Sequence, residues 1–207
     1  MVFSLFLVVM FAVSGLWAGE NLQGKSFRLG IGAGYATFSD DQFDGSVLVG
    51  LKITYPLANA LRVELAGAYT SSKITANVDG YSGGKLKVMP IQLSLQYCFT
   101  AGNLNPYIGA GCGYYLNDLS LDGLTGWENM GFEITEEVKN KFGFHFGGGI
   151  EFKLKSNLIF FIDVRYCVVK IPGTYTITDT VTGIEQSGDI EKDLNPLMFG
   201  AGISIGL

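Results

Sequence analysis

Residues 141–154 read KFGFHFGGGIEFKL, and the pattern of this stretch decides the fold. Large apolar side chains stand at alternate positions, as at Phe142, Phe144 and Phe146, with glycine, histidine or charge between them. Successive side chains of a β-strand point to opposite faces, so this period of two predicts a strand with one apolar face. Glycine in a helix interior costs roughly 1 kcal/mol relative to alanine, which argues against a helix here.

The same alternation recurs along the rest of the chain. It predicts eight strands, at residues 27–38, 46–55, 61–71, 87–99, 106–116, 141–154, 157–170 and 195–207. The connections at residues 56–60, 100–105 and 155–156 are short, whereas longer loops are expected at 39–45, 72–86, 117–140 and 171–194. Short turns at one end and long loops at the other are typical of outer-membrane barrels, with both chain ends on the periplasmic side.

The second face of the strands distinguishes a soluble barrel from a membrane barrel. A soluble eight-stranded barrel such as a lipocalin turns its apolar face inward. Here the other face carries glycine, serine and charge, which cannot fill an apolar core. We therefore predict an all-β fold, an eight-stranded antiparallel up-and-down transmembrane β-barrel. Its lumen should be lined by small and charged residues, including Gly30, Gly32, Gly34, Gly109, Gly111 and Gly113.

The length of 207 residues suits one domain, preceded by a distinct N-terminal segment. Residues 1–19 form a continuous apolar run that indicates a signal peptide with an uncertain cleavage site, which leaves residues 20–207 for the barrel. No Lys or Arg precedes the apolar run. A membrane anchor therefore stays open as an alternative, because about 20 apolar residues can span a bilayer.

The charge and the reactive side chains exclude several classes of function. A net charge of -5 is unsuited to a nucleic-acid surface. The three cysteines, Cys98, Cys112 and Cys167, show no metal-site spacing, and no cofactor motif is present. A lipid hydrolase would need a nucleophile, a base and an orienting acid. His145 is the sole histidine and no serine lies two residues from it, so we expect no enzyme.

Five blocks of sequence resemble the OmpW family of bacterial outer-membrane proteins. They are GLKITYPLANALRVELAGAY (50–69), MPIQLSLQYCF (89–99), NPYIGAGCGYY (105–115), FFIDVRY (160–166) and LNPLMFGAGISIGL (194–207). The resemblance implies a barrel in the bacterial outer membrane that a small hydrophobic molecule enters from outside and leaves sideways into the lipid. Family members usually end in an aromatic residue that the barrel-assembly machinery reads, and this chain departs from that pattern by ending in Leu207.

The inward-facing positions divide into a polar and an apolar set. Charges of both signs lie toward the short turns and should pair into a plug of the lower lumen: Arg28, Lys52, Arg62, Glu64, Glu151, Lys153, Asp163 and Arg165. Apolar residues lie toward the long loops and suggest an apolar vestibule above the plug: Phe38, Leu48, Pro90, Tyr115, Val169 and Met198.

Two functions remain open from the sequence. The first is a narrow channel for passive uptake of small hydrophobic molecules, with lateral exit where Pro90 removes a hydrogen bond from the wall, although a simple bulge at Pro90 is also open. The second is a structural or adhesion barrel whose long surface loops bind a partner. The expected partners are outer-membrane lipid, a small hydrophobic solute and the barrel-assembly machinery.

Overall fold

The computed structural model of the chain describes residues 27–74, 83–99, 102–121, 131–155 and 157–207. The predicted signal peptide, residues 1–19, lies outside these described residues. In the described part the chain forms eleven strands. They are β1 (Arg28–Thr37), β2 (Ser46–Pro56), β3 (Leu61–Ile74), β4 (Gly84–Cys98), β5 (Leu104–Leu121), β6 (Phe132–Val138), β7 (Lys141–Lys153), β8 (Leu158–Val168), β9 (Lys170–Asp179), β10 (Glu185–Asp193) and β11 (Leu197–Gly206).

Eight of these strands close into a barrel, which confirms the predicted fold. Their order around the barrel is β1-β11-β8-β7-β5-β4-β3-β2. The ring is closed by antiparallel pairing of β1 with β11, from Arg28 opposite Gly206 to Thr37 opposite Leu197. Among the described residues there is no helix of the length and apolarity needed to cross a membrane.

The two faces of the barrel wall differ as the alternation predicts. Large apolar side chains point outward and are freely exposed: Phe142 is 70% and Phe144 71% exposed. The residues between them point into the lumen, where His145 and Glu151 are each only 3% exposed. Such an arrangement is stable only when the outer face is covered by an apolar medium, because exposed apolar surface of this extent is unfavourable in water.

Glycine is required at several lumen positions because neighbouring strands approach closely there. A Cβ at Gly34 would clash with the carbonyl oxygen of Phe199, and one at Gly147 with that of Val164. Gly32 stands opposite Gly202 on one side and Gly50 on the other. These positions therefore contribute backbone and no side chain to the lumen.

The rims are defined by the connections between barrel strands. Among the described residues, the short-turn rim carries 57–60, 99, 102–103, 154–155 and 157, within one or two residues of the predicted connections at 56–60, 100–105 and 155–156. At the opposite, long-loop rim, β5 continues to Leu121 and pairs with β4 as far as Gly84, five residues beyond the predicted end at residue 116. The wall is therefore taller on this side than the alternation alone indicates.

A second sheet of three strands, in the order β10-β9-β6, corrects the prediction that residues 117–140 and 171–194 are loops. β9 carries the strand pattern Thr174, Tyr175, Thr176, Ile177, Thr178, whereas the acidic sequence of β10 gives no such signal. β10 owes its conformation to pairing with β9 from Glu185 to Asp193. On this sheet, hydrogen bonds to Glu191 and Asp193 raise the pKa of the exposed Lys170.

The outward orientation of Phe144 can be tested by substitution. Phe144→Arg should lower the free energy of unfolding in lipid vesicles by about 2–4 kcal/mol, because a charge near the bilayer midplane must be desolvated. The matched variant Phe144→Leu keeps an apolar side chain on the same face and should lose much less. Equal tolerance of Arg and Leu at this position would show that Phe144 does not face lipid.

Candidate functional site

The lower half of the lumen is filled by an ion-pair network, which we call the plug: Arg28, Lys52, Arg62, Glu64, Glu151, Asp163 and Arg165. Glu151 binds two guanidinium groups, with Arg62 Nη1 at 2.7 Å and Arg28 Nη1 at 2.8 Å. Glu64, which is completely buried, accepts a hydrogen bond from Arg165 Nη2 at 2.7 Å. These contacts join β1, β3, β7 and β8 across the lumen.

Lys52 occupies a less tightly bonded position in the plug. Its ammonium lies 3.4 Å from Asp163 Oδ2 and 3.5 Å from Glu64 Oε2. Both separations exceed the 2.7–3.2 Å that is usual for an N–H···O hydrogen bond. The same nitrogen lies 3.3 Å from the ring centroid of Phe161, an aromatic contact that the sequence prediction did not include.

Seven of the eight predicted plug residues meet in this network, and Lys153 does not. Its side chain is exposed at the end of β7, and no ion pair involves it in the described part of the chain. Its position in the alternation would point it into the lumen, but Lys153 is the last residue of β7 and lies at the barrel rim. A long cationic side chain at a strand end can reach water, so it need not pair inside the lumen.

A serine does contact His145, although none is near it in sequence. Ser94 on β4 and His145 on β7 lie on opposite sides of β5, and Ser94 Oγ is 2.8 Å from His145 Nε2. The contact passes over Gly111 of β5, which has no side chain to separate them. The other ring nitrogen, Nδ1, is buried without a hydrogen-bond partner among the described residues, so no carboxylate orients the ring there.

The predicted apolar vestibule is a packed cluster. This upper apolar cluster consists of Ala36, Phe43, Ile74, Leu86, Val88, Tyr115, Cys167, Val169, Ile171, Leu194 and Met198. Three of the six predicted vestibule residues, Tyr115, Val169 and Met198, belong to it, while Phe38 and Leu48 pack against it half-buried. Pro90 is fully buried at the same height. The upper lumen is filled because Phe43, from the connection after β1, and Ile171, from β9, pack into it. Neither residue lies on a barrel strand, so the alternation of the barrel strands could not predict their positions.

A cavity of about 80 Å³ separates the cluster from the plug. Leu48 and Met198 border it above, while Lys52, Glu64, Asp163 and Arg165 border it below. Much of its side wall consists of residues with little or no side chain, and Phe161 and Gln92 also line it. The small residues are Gly32, Gly50, Ala66, Ala68 and Gly200. The cavity exists because these small residues have no side chains long enough to fill the lumen at this height.

The pairing between β3 and β4 is interrupted beside this cavity. Gly67 pairs with Ile91, and Thr70 pairs with Val88. Between these pairs, Ala68 and Tyr69 of β3 form no ladder pair with Met89 and Pro90 of β4. Pro90 lies at this interruption and has no N–H to donate. The register is the same on both sides, so Pro90 does not form the bulge that the sequence left open.

Several residues of the site had no signal of their own in the sequence. Gln92 accepts a hydrogen bond from Arg165 Nη1 at 2.6 Å and donates to Tyr115 Oη at 3.0 Å, which links the plug to the upper apolar cluster. Tyr107 stacks beneath Arg62, with the guanidinium carbon 4.3 Å from the ring centroid. Their inward phase was predictable from the alternation, but Arg165 and Arg62, their partners in the plug, lie on strands that are not adjacent to theirs.

The sequence profile of the family described as outer membrane protein beta-barrel domain matches residues 3–204. This match confirms the expected outer-membrane barrel. No curated protein matches the chain at a significant level.

Solved structures of outer-membrane proteins have a similar fold. The chain is similar to the outer membrane protein OprG from Pseudomonas aeruginosa, with a TM-score of 0.69 and 20% identity over 89% of this chain and 96% of OprG. Outer membrane protein AlkL has a TM-score of 0.55 and 21% identity over 92% of each chain. Neisserial surface protein A has a TM-score of 0.55 and 16% identity over 91% of this chain and 100% of its own. These similarities confirm the fold of an eight-stranded outer-membrane barrel.

The plug predicts a large stability effect at Glu64. Glu64→Gln should lower the free energy of unfolding by about 3–5 kcal/mol, because Lys52 and Arg165 would keep their buried charges without this partner. Denaturant titration in vesicles measures the change. As a control, Lys170→Gln removes an exposed ion-paired cation of the second sheet and should change stability far less. Similar losses for both variants would show that the plug contributes no more than surface pairs.

Proposed function

The chain belongs to the outer membrane protein beta-barrel domain family, and we propose that this member is a passive route for small hydrophobic molecules across the outer membrane. The solute enters by displacing side chains of the packed upper apolar cluster, occupies the cavity below it, and leaves sideways into the bilayer between β3 and β4. The protein does no chemistry on the solute.

The composition of the lumen supports this route. A solute arriving at the long-loop rim meets the side chains of the upper apolar cluster, which attract apolar molecules and offer no unpaired charge. Below the cavity, the plug joins opposite sides of the lumen through five buried or half-buried residues held at 2.7–2.8 Å. Passage through the plug would separate these pairs, at a cost of several kcal/mol for each uncompensated charge.

The interruption beside Pro90 supports a lateral exit. Opening a barrel wall in lipid ordinarily breaks backbone hydrogen bonds that nothing in the bilayer can replace. Between Gly67–Ile91 and Thr70–Val88, the hydrogen bond that position 90 would donate to β3 is already missing, because Pro90 has no N–H. Ala68 lies in the interruption and also lines the cavity. The position of the cavity next to the one weakened seam of the described barrel ladders is the observation that carries the proposal.

The apolar border of the cavity can be tested by introducing charge. Leu48→Arg or Met198→Arg should abolish uptake of a radiolabelled hydrophobic solute by cells that produce the protein, because the solute would have to desolvate a guanidinium. The matched variants Leu48→Met and Met198→Leu keep the apolar volume and should retain most of the uptake. If the protein is instead an adhesion barrel with a purely structural lumen, surface attachment is its activity and the Arg variants leave that attachment unchanged.

The exit can be tested at Pro90. Pro90→Ala supplies the missing backbone N–H and should allow β3 and β4 to pair throughout, so that uptake falls while the barrel becomes no less stable. Pro106→Ala makes the same change near the short-turn end of β5, away from the cavity, and should leave uptake unchanged. Unaltered uptake in the Pro90 variant would place the exit elsewhere.

A further inference from the structure

The floor of the cavity contains a hydrogen-bond acceptor that lacks a donor. Asp163 Oδ2 is 3.3 Å from Tyr107 Oη and 3.4 Å from Lys52 Nζ. Asp163 Oδ1 has no hydrogen-bond partner among the described residues, and it is not one of the fully buried polar atoms. It lies 2.8 Å from where a Cβ at Gly200 would stand, and Gly200 and Asp163 both line the cavity. This oxygen can therefore accept a hydrogen bond from a molecule in the cavity.

A donor with spare capacity lies next to this acceptor. The Lys52 ammonium has three N–H groups. It lies over the Phe161 ring, and its contacts with oxygen are no shorter than 3.4 Å, so none of its hydrogen bonds is a short one. Only 7% of the Lys52 side chain is exposed, so water can accept few hydrogen bonds from its ammonium group. A ligand atom that both accepts from Lys52 and donates to Asp163 would complete the bonding of both groups.

The charges around the cavity exclude a charged ligand at this position. Lys52 and Arg165 supply two positive charges, and Glu64 and Asp163 supply two negative charges, so the floor is neutral. A carboxylate ligand would meet Asp163, and an ammonium ligand would meet Lys52, each at close range to a like charge. A neutral hydroxyl group avoids both repulsions and is at once a donor and an acceptor.

We infer that the cavity takes a small neutral alcohol, with its hydroxyl group between Asp163 and Lys52 and its alkyl chain against Ala68, Leu48 and Met198. This inference rests on the proposed function, because it names the class of solute for the same cavity. The volume of about 80 Å³ is smaller than the cavities of about 150 Å³ that bind benzene, so a short aliphatic chain fits better than a ring.

Methyl NMR of the folded protein in nanodiscs can test this inference with isomeric probes. 1-Butanol and methyl propyl ether have the same atoms, but the ether cannot donate a hydrogen bond. The Met198 methyl reports the cavity, and the Ile108 δ1 methyl on the outer face of β5, away from the cavity and the seam, reports general partitioning into lipid. We expect 1-butanol to bind at Met198 about tenfold more tightly than the ether, and equal effects of the two at Ile108.

Two variants locate the hydroxyl group. Gly200→Ser places a built-in hydroxyl beside Asp163 Oδ1, whose carboxylate is the sole group within 4 Å of the new Cβ, and it should abolish the preference for 1-butanol. Gly206→Ser makes the same change on the inward face of β11 near its end, where the new Cβ would be in ordinary contact with Asn157 at 3.9 Å, and it should keep the preference. A preference that survives Gly200→Ser would overturn the assignment of Asp163 as the acceptor.

The remaining outcomes separate this inference from the proposed function. Equal binding of alcohol and ether at Met198 would overturn the hydroxyl site while leaving an apolar route intact. Tighter binding of butanoate or butylammonium than of 1-butanol would also overturn it, in favour of a charged ligand. No response of Met198 to any probe would contradict both the inference and the use of this cavity as a solute route.

Discussion

The requirement that every backbone polar group within the bilayer find a partner governs the rest of this structure. A strand with a free edge in lipid would leave unpaired N–H and C=O groups, so the sheet must close, and it does so through the pairing of β1 with β11. Closure with an apolar outer face turns the polar positions inward. Eight strands enclose a lumen only wide enough for side chains, and the charged residues are therefore brought within pairing distance.

The distribution of large and small inward side chains then divides the lumen by height. Long charged residues meet near the short turns and form the plug, whose pairs span the lumen from β1 and β3 to β7 and β8. Apolar residues meet near the long loops, with Phe43 and Ile171 added from outside the barrel strands. Between them, glycine and alanine on β1, β2, β3 and β11 leave the cavity. The unpaired stretch at Pro90 lies beside that space.

The sequence predicts the parts of this arrangement that depend on local periodicity. Alternation predicted the eight strands, the outward face of residues such as Phe144 and seven of the eight plug residues. It could not show that the upper lumen is filled, because Phe43 and Ile171 belong to connections with no fixed phase relative to the barrel. The strand conformation of β10 depends on β9, and the Ser94–His145 contact depends on two strands separated by β5. Such pairings arise from tertiary structure.

The central claim is that the backbone pairing of the described barrel strands is continuous except for one seam beside the cavity. Backbone amide hydrogen exchange in nanodiscs tests this most directly, because exchange requires a free or opening N–H group. The account predicts that the amide of Ala68, which faces Pro90 across the seam, exchanges faster than the amides of Gly32 and Ala33, which lie in a strand paired on both sides. Tyr69 and Met89 pair with Val49 of β2 and Leu116 of β5, so their amides should stay protected. Equal protection at the two places would contradict a weakened seam, and with it the lateral exit.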